Sequence, residues 1–294
     1  MKKIIKKIIS LIFIIFLIFL ACRKESVIIK GSDTMVNLVS ALVEAYIKEH
    51  PRADITVMGG GSGVGIASLI NKEIKCANSS RDLKEEEKEK LKANGINYLE
   101  IPIGYDLLAI IVNEKNPIES LTIAQLKDIY QRKVKDWKEV GGLSGEISLY
   151  GRNPASGTYE FFKEIVLKGD YSPEMKQMAG TAAIVDAVSQ DIGGIGYVGI
   201  GYIKDVKGIK TVKIKNEKDG KYYSPLDKEN LKNYPLSRPL YHIVDKDYLF
   251  SPKGKVLKDF IKWELEKGDK IIEEVGFVPL TQLEKEKILK ELSQ

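Results

Sequence analysis

Cysteine, histidine and tryptophan are scarce in this chain, two of each among 294 residues, and that scarcity removes whole classes of chemistry. Cys22 and Cys76 allow one disulfide at most, and none once Cys22 is modified, so stability has to come from a packed core. Two histidines with one remaining cysteine are too few for a zinc cluster. His50 precedes Pro51 at a predicted helix end and His242 lies in an apolar extended run, so neither is placed as a general base. No G-x-S-x-G elbow occurs. The glycine loop 59–63 leads into Val64-Gly65-Ile66-Ala67 rather than Lys-Ser/Thr, so it is no Walker A, and it fits G-x-G-x-x-G in no register. No repeat, low-complexity tract or basic stripe interleaved with aromatics is present, so no nucleic-acid partner is expected.

One long apolar run exists. Lys2, Lys3, Lys6 and Lys7 precede an apolar stretch from Ile8 to Ala21 that only Ser10 interrupts and that stops at Cys22. At about 14 residues it is short of the roughly 20 a membrane span requires, and it reads as a secretory signal over residues 1–21. A cysteine directly after such a core resembles a bacterial lipobox, with Ala21 as expected and Phe19 where leucine is usual. Cys22 is therefore the expected lipidation site, and the folded part is expected on the outer side of the cytoplasmic membrane, anchored in the cell envelope. Removing four lysines from a formal charge of +5 leaves +1, so the basic balance belongs largely to the leader.

Downstream, strands alternate with helices. Residues 27–29, 55–58 and 76–77 read as strands, each followed by a loop and then a helical pattern over 35–49, 66–71 and 83–94. This alternation predicts an α/β fold with a largely parallel sheet and a ligand beyond the carboxyl ends of the strands. The stretch 98–112 is extended and apolar but carries Pro102 and Gly104, as a crossing between two lobes would; 234–244 is the natural return. The expected division is lobe 1 over 22–104 and 237–294, and lobe 2 over 105–236. The charge run 85–92 reads as a solvated helix face.

Four small-residue loops open onto the helices: Gly31-Ser32-Asp33-Thr34, Gly59-Gly60-Gly61-Ser62-Gly63, Ser79-Ser80-Arg81-Asp82 and Arg152-Asn153-Pro154-Ala155-Ser156-Gly157-Thr158. A helix N-terminus presents unpaired N–H groups and about half a positive charge, so each loop is ready for an anion. Four together suggest a tetrahedral oxyanion held between converging helix ends, with arginine adding a planar fork of donors.

These motifs, with Asp106 before Val112-Asn113, Gly194-Ile195-Gly196-Tyr197-Val198 and Tyr234-Pro235-Leu236-Ser237-Arg238-Pro239-Leu240, stand in the order found in the phosphate-binding proteins of Pst-type ABC importers. The resemblance spans roughly residues 26–280. It implies a two-lobed periplasmic-binding-protein fold of type II, joined by two strands and closing on inorganic phosphate in the interlobe cleft. It also implies delivery to the transmembrane subunits of an ABC permease, with no cofactor, no metal and no catalysis, by a protein expected to be a monomer. Carried over residue by residue, it implies phosphate contacts from Thr34, Ser62, Ser156, Gly157 and Thr158, with Arg152 as the guanidinium; Ser32, Ser80, Arg81 and Asp106 complete the candidate set. Arg81 either touches the anion or braces the site through a carboxylate. Some relatives place an acceptor aspartate where this chain has Ser79-Ser80-Arg81, which leaves the acceptor of a phosphate hydrogen between Asp106 and Asp82. Asp106 is favoured because it lies in the apolar crossing, whereas Asp82 is placed to cap a helix. The rival readings are a binding protein for sulfate or molybdate, a secreted phosphohydrolase, and a surface lipoprotein with a degenerate pocket.

Overall fold

A computed structural model describes residues 26–293; the leader and Cys22 lie outside them. The strands are β1 Ser26–Gly31, β2 Asp54–Met58, β3 Cys76–Ser79, β4 Tyr98–Leu107, β5 Ala109–Asn113, β6 Ser120–Leu121, β7 Ser148–Arg152, β8 Lys176–Met178, β9 Gly194–Val198, β10 Ile209–Lys215, β11 Tyr222–Tyr223 and β12 Ser237–Asp245. They form two sheets, one ordered β2-β1-β3-β12-β4 and the other β11-β10-β5-β9-β7-β8, with β6 beside β10.

The first sheet is mixed rather than largely parallel. β1 pairs in parallel with β2 and β3, as strand–helix–strand connections require, but β12 runs antiparallel to both β3 and β4. The reason is the path of the chain: β12 returns from the second sheet in the direction opposite to β4, which leaves for it.

The chain passes between sheets at Leu108, which is fully buried and separates β4 from β5. Its N–H donates to the Leu236 carbonyl at 2.9 Å, and its carbonyl accepts the Tyr234 hydroxyl at 2.7 Å, so the outgoing and returning segments are bonded to each other where they cross. Pro102 and Gly104 do not divide the strand. Leu240 opposes Gly104 while Tyr241 opposes Pro102, so the register shifts and Ile103 is an extra residue. A bulge is where a sheet tolerates proline, because the missing N–H then costs no regular ladder bond.

Both ends of the described chain build the first lobe. The helix Val36–Glu49 buries Leu38, Val39, Leu42, Val43 and Tyr46, an apolar stripe at spacings of three and four. Tyr46 meets Phe260 and Trp263, at centroid distances of 5.4 and 5.6 Å, from the helix Lys255–Lys267. The second lobe packs around Tyr130, Phe162, Tyr171 and Tyr197, with Phe162 and Tyr197 stacked at 4.4 Å. Tyr197 then accepts the Arg152 N–H on its hydroxyl at 3.1 Å, which ties this aromatic core to the loop that follows β7.

His242, on β12, is fully buried between Asn78, 2.7 Å from Nδ1, and Glu264, 3.0 Å from Nε2. Burial works against the imidazolium, but Cys76 and Glu264 outweigh it, and its pKa is pushed up from 6.5 to about 10. A group that binds its proton more tightly in the folded chain contributes stability that is full below its unfolded pKa and lost as pH rises through the folded one. The midpoint of chemical denaturation should therefore fall between neutral pH and about 10. The double variant His242→Phe/Glu264→Leu, which lacks both charges, should show a flatter profile over that range; an identical slope would refute the charged pair.

Candidate functional site

The four loops converge between the lobes. The first lobe brings Ser32 and Thr34 from the turn after β1, Ser62 from the start of the helix Ser62–Ile70, and Ser80 from just beyond β3. The second lobe brings Ser156, Gly157 and Thr158 from the start of the helix Gly157–Phe162, with Arg152 at the end of β7. None of the hydroxyl residues is more than 3% exposed. Buried hydroxyls are costly unless hydrogen-bonded, and here all but Ser156 bond to one another. Ser32 Oγ donates to Ser80 Oγ at 2.9 Å, the Ser80 N–H donates to Ser62 Oγ at 3.2 Å, and Thr34 Oγ1 lies 2.8 Å from Thr158 Oγ1 across the cleft.

Other bonds cross with them. The Gly63 N–H donates to the Ala155 carbonyl at 3.0 Å, the Tyr202 hydroxyl to the Asp33 carbonyl at 2.6 Å, and Lys84 pairs with Glu160 at 3.0 Å. Gly61 has φ +103°, and a Cβ there would overlap the Ala155 carbonyl oxygen, so only glycine lets the two loops approach this closely.

Two guanidiniums, each paired with a carboxylate, reach the cleft. Arg152, 1% exposed, donates to Asp33 of the first lobe, to Thr181 Oγ1 at 3.2 Å and to the Ala179 carbonyl at 3.1 Å. Asp33 also accepts the Gly60 N–H at 2.9 Å. Arg238, 2% exposed, grips Asp106 Oδ2 through Nε at 3.0 Å and Nη2 at 2.7 Å, and donates to Thr158 Oγ1 at 3.0 Å. Burial lowers the Arg238 pKa and Asp106 opposes that shift; a guanidinium stays charged throughout. The arrangement is rich in donors held by both lobes, and His50 and His242 both stand elsewhere: His50 stacks on Tyr46 at a helix end, and His242 bonds to Asn78 and Glu264. Such a set of donors can hold an anion.

The sequence model of the PBP superfamily domain matches residues 21–267. The chain is 35% identical over 280 residues to the phosphate-binding protein PstS of Pseudomonas aeruginosa, covering 89% of this chain and 85% of that one. It is 39% identical over 256 residues to the phosphate-binding protein PstS of Staphylococcus epidermidis, covering 85% and 77%. The chain belongs to the PstS family of the PBP superfamily. A Clostridium perfringens protein solved with bound phosphate matches its structure with a TM-score of 0.77 at 30% identity, covering 87% of this chain and all of that one. An ABC-type phosphate transport receptor from Vibrio cholerae matches with a TM-score of 0.67 at 26% identity and the same coverage.

Within this PstS-family cleft the sequence candidates are not all placed alike. Ser32, Thr34, Ser62, Ser80, Arg152, Ser156, Gly157 and Thr158 come together. Ser156 acts as the helix N-cap, its oxygen accepting the N–H groups of Thr158 and Tyr159 at 3.2 and 3.4 Å. Arg81 is turned to a carboxylate: Glu87 takes its two terminal nitrogens at 2.8 and 2.7 Å, and the Asp82 carbonyl takes a third bond at 2.8 Å. Burial alone would raise the Glu87 pKa, but Arg81 and the Lys84 N–H hold it below its ordinary value. The run 85–92 is thus not wholly a solvated face.

Asp106 is ion-paired rather than open to the cleft, its Oδ1 accepting the Ile200 N–H at 2.9 Å and its Oδ2 taken by Arg238. Asp82 does not cap the helix Glu85–Ala93. Lys84 is the N-cap residue, its N–H satisfied by Glu87 Oε2 at 2.9 Å, and the exposed Asp82 accepts the Tyr241 hydroxyl instead. The sequence reading missed Arg238 and Asp33. Leu240, fully buried, follows Arg238 by two residues on β12, which puts both on one face, and the buried Leu236 precedes it at the same spacing; that alternation was the available signal.

Proposed function

We propose that this protein binds inorganic phosphate between its lobes outside the cytoplasmic membrane and passes it to the transmembrane subunits of an ABC importer, without catalysis. The observation that carries this reading is the set of buried hydroxyls brought by both lobes, none more than 3% exposed, which meet across the cleft at Thr34 and Thr158 and are flanked by Arg152 and Arg238. Such enclosure suits a small tetrahedral oxyanion. Support comes from the PstS relatives and from a structural neighbour solved with phosphate. Candidate contacts are Ser32, Thr34, Ser62, Ser80, Arg152, Ser156, Gly157 and Thr158. The lobes would be 22–104 with 237–294, and 105–236, moving about the paired strands β4 and β12. Cys22 would carry the lipid that holds a monomeric protein at the envelope.

Calorimetric titration should show phosphate binding that arsenate competes for and sulfate does not, and solution scattering should show a smaller radius of gyration with phosphate. Equal competition by sulfate would transfer the protein to another oxyanion, and a lack of any phosphate binding would end the reading.

A further inference from the structure

We infer that Arg238 donates directly to the bound anion through Nη1, and that Asp106 serves to position this guanidinium. This rests on the phosphate reading above and names a contact within that same site. A guanidinium is planar and its five N–H bonds point in fixed directions. Asp106 Oδ2 accepts from both Nε and Nη2, at 3.0 and 2.7 Å, and so occupies the side edge of the group. What remains is the end edge, formed by the second Nη2 hydrogen and a hydrogen of Nη1.

Half of that edge is filled. Nη2 reaches Thr158 Oγ1 at 3.0 Å, and Thr158 Oγ1 lies 2.8 Å from Thr34 Oγ1 of the opposite lobe, so the end edge faces the cleft. Nη1, beside it, is buried and has no hydrogen-bond partner among the described residues. The Phe161 ring, 5.1 Å from Cζ, packs on the group as an apolar surface and supplies no acceptor for an in-plane hydrogen. A buried donor left unpaired is costly, and an oxyanion oxygen seated beside the Thr158 hydroxyl would relieve that cost with a charge-assisted bond. Arg238 and Asp106 are opposed on β12 and β4, so this contact ties the anion to the strands that join the lobes.

The test is phosphate calorimetry on the parent and on the double variant Arg238→Met/Asp106→Leu. Replacing a buried ion pair by apolar residues of similar size is often tolerated, so the unliganded Tm should stay near that of the parent. Phosphate affinity should nevertheless fall by about 10- to 100-fold, the worth of a hydrogen bond to a charged partner. Parent-like affinity in the double variant would overturn the contact while leaving phosphate binding intact; a parent that does not bind phosphate would overturn both. Should the double variant fail to fold, 15N-arginine spectra of the parent decide. Phosphate is expected to shift and sharpen the Arg238 Nη signals, and unmoved signals would refute the contact.

Discussion

Gly157→Ala should weaken phosphate binding by about 10- to 100-fold while leaving the unliganded protein folded with an unchanged Tm. A Cβ at position 157 would overlap Ser62 Oγ and lie 2.9 Å from both Ser62 Cβ and Ser80 Oγ. Gly157 belongs to the second lobe and the two serines to the first, so the clash arises only when the lobes meet. Forcing one methyl into packed surroundings costs about 1–3 kcal/mol, and here that cost falls on the closed state alone. Calorimetry gives the affinity and thermal denaturation without phosphate gives the control. Parent-like affinity would mean that these loops are not in contact when the anion is bound.

Removal of the Arg152 side chain should be at least as damaging. It donates to Asp33, Thr181 and the Ala179 carbonyl from a site that is 1% exposed, and Arg152→Ala removes all three bonds and the only charge paired with Asp33 among the described residues. Losing one member of a buried charged pair at a binding site costs about 2–5 kcal/mol, part of it the penalty of the carboxylate left behind. That share can be separated. Adding Asp33→Asn to Arg152→Ala should recover some of the affinity, because the amide no longer sets an unpaired charge beside the anion. A double-mutant cycle on phosphate affinity measures the coupling; strictly additive effects would show that Asp33 has no part in holding Arg152 for the ligand.

The loops of the site were legible in the sequence because their function is local. Glycine, serine and threonine before a helix announce exposed N–H groups whatever the rest of the chain does, and the four loops were read in that way, while the resemblance to the phosphate-binding proteins picked out individual residues such as Thr34, Ser62, Ser156, Gly157 and Thr158 within them. The charged groups were harder, since a charge is defined by its partner. Asp33 lies in the first loop, but its partner is 119 residues away. Whether Arg81 touches the anion or a carboxylate stayed open because Glu87 was hidden in a run of exposed charges, and Asp106 was favoured as the acceptor because its partner Arg238 stands 132 residues downstream. The fold shows the same split. Alternating strands and helices gave the α/β class, whereas the antiparallel return of β12 and the bulge at Ile103 depend on which strands become neighbours.

The pairing of each arginine with an aspartate has a kinetic consequence. Arg152 with Asp33 and Arg238 with Asp106 sum to no net charge, so these four groups cast little field beyond the mouth of the cleft. An approaching anion gains little steering from them at distances beyond a Debye length, about 8–10 Å in ordinary salt. Association should then run near the rate of an unsteered encounter and respond weakly to ionic strength, with most of the affinity residing in slow escape.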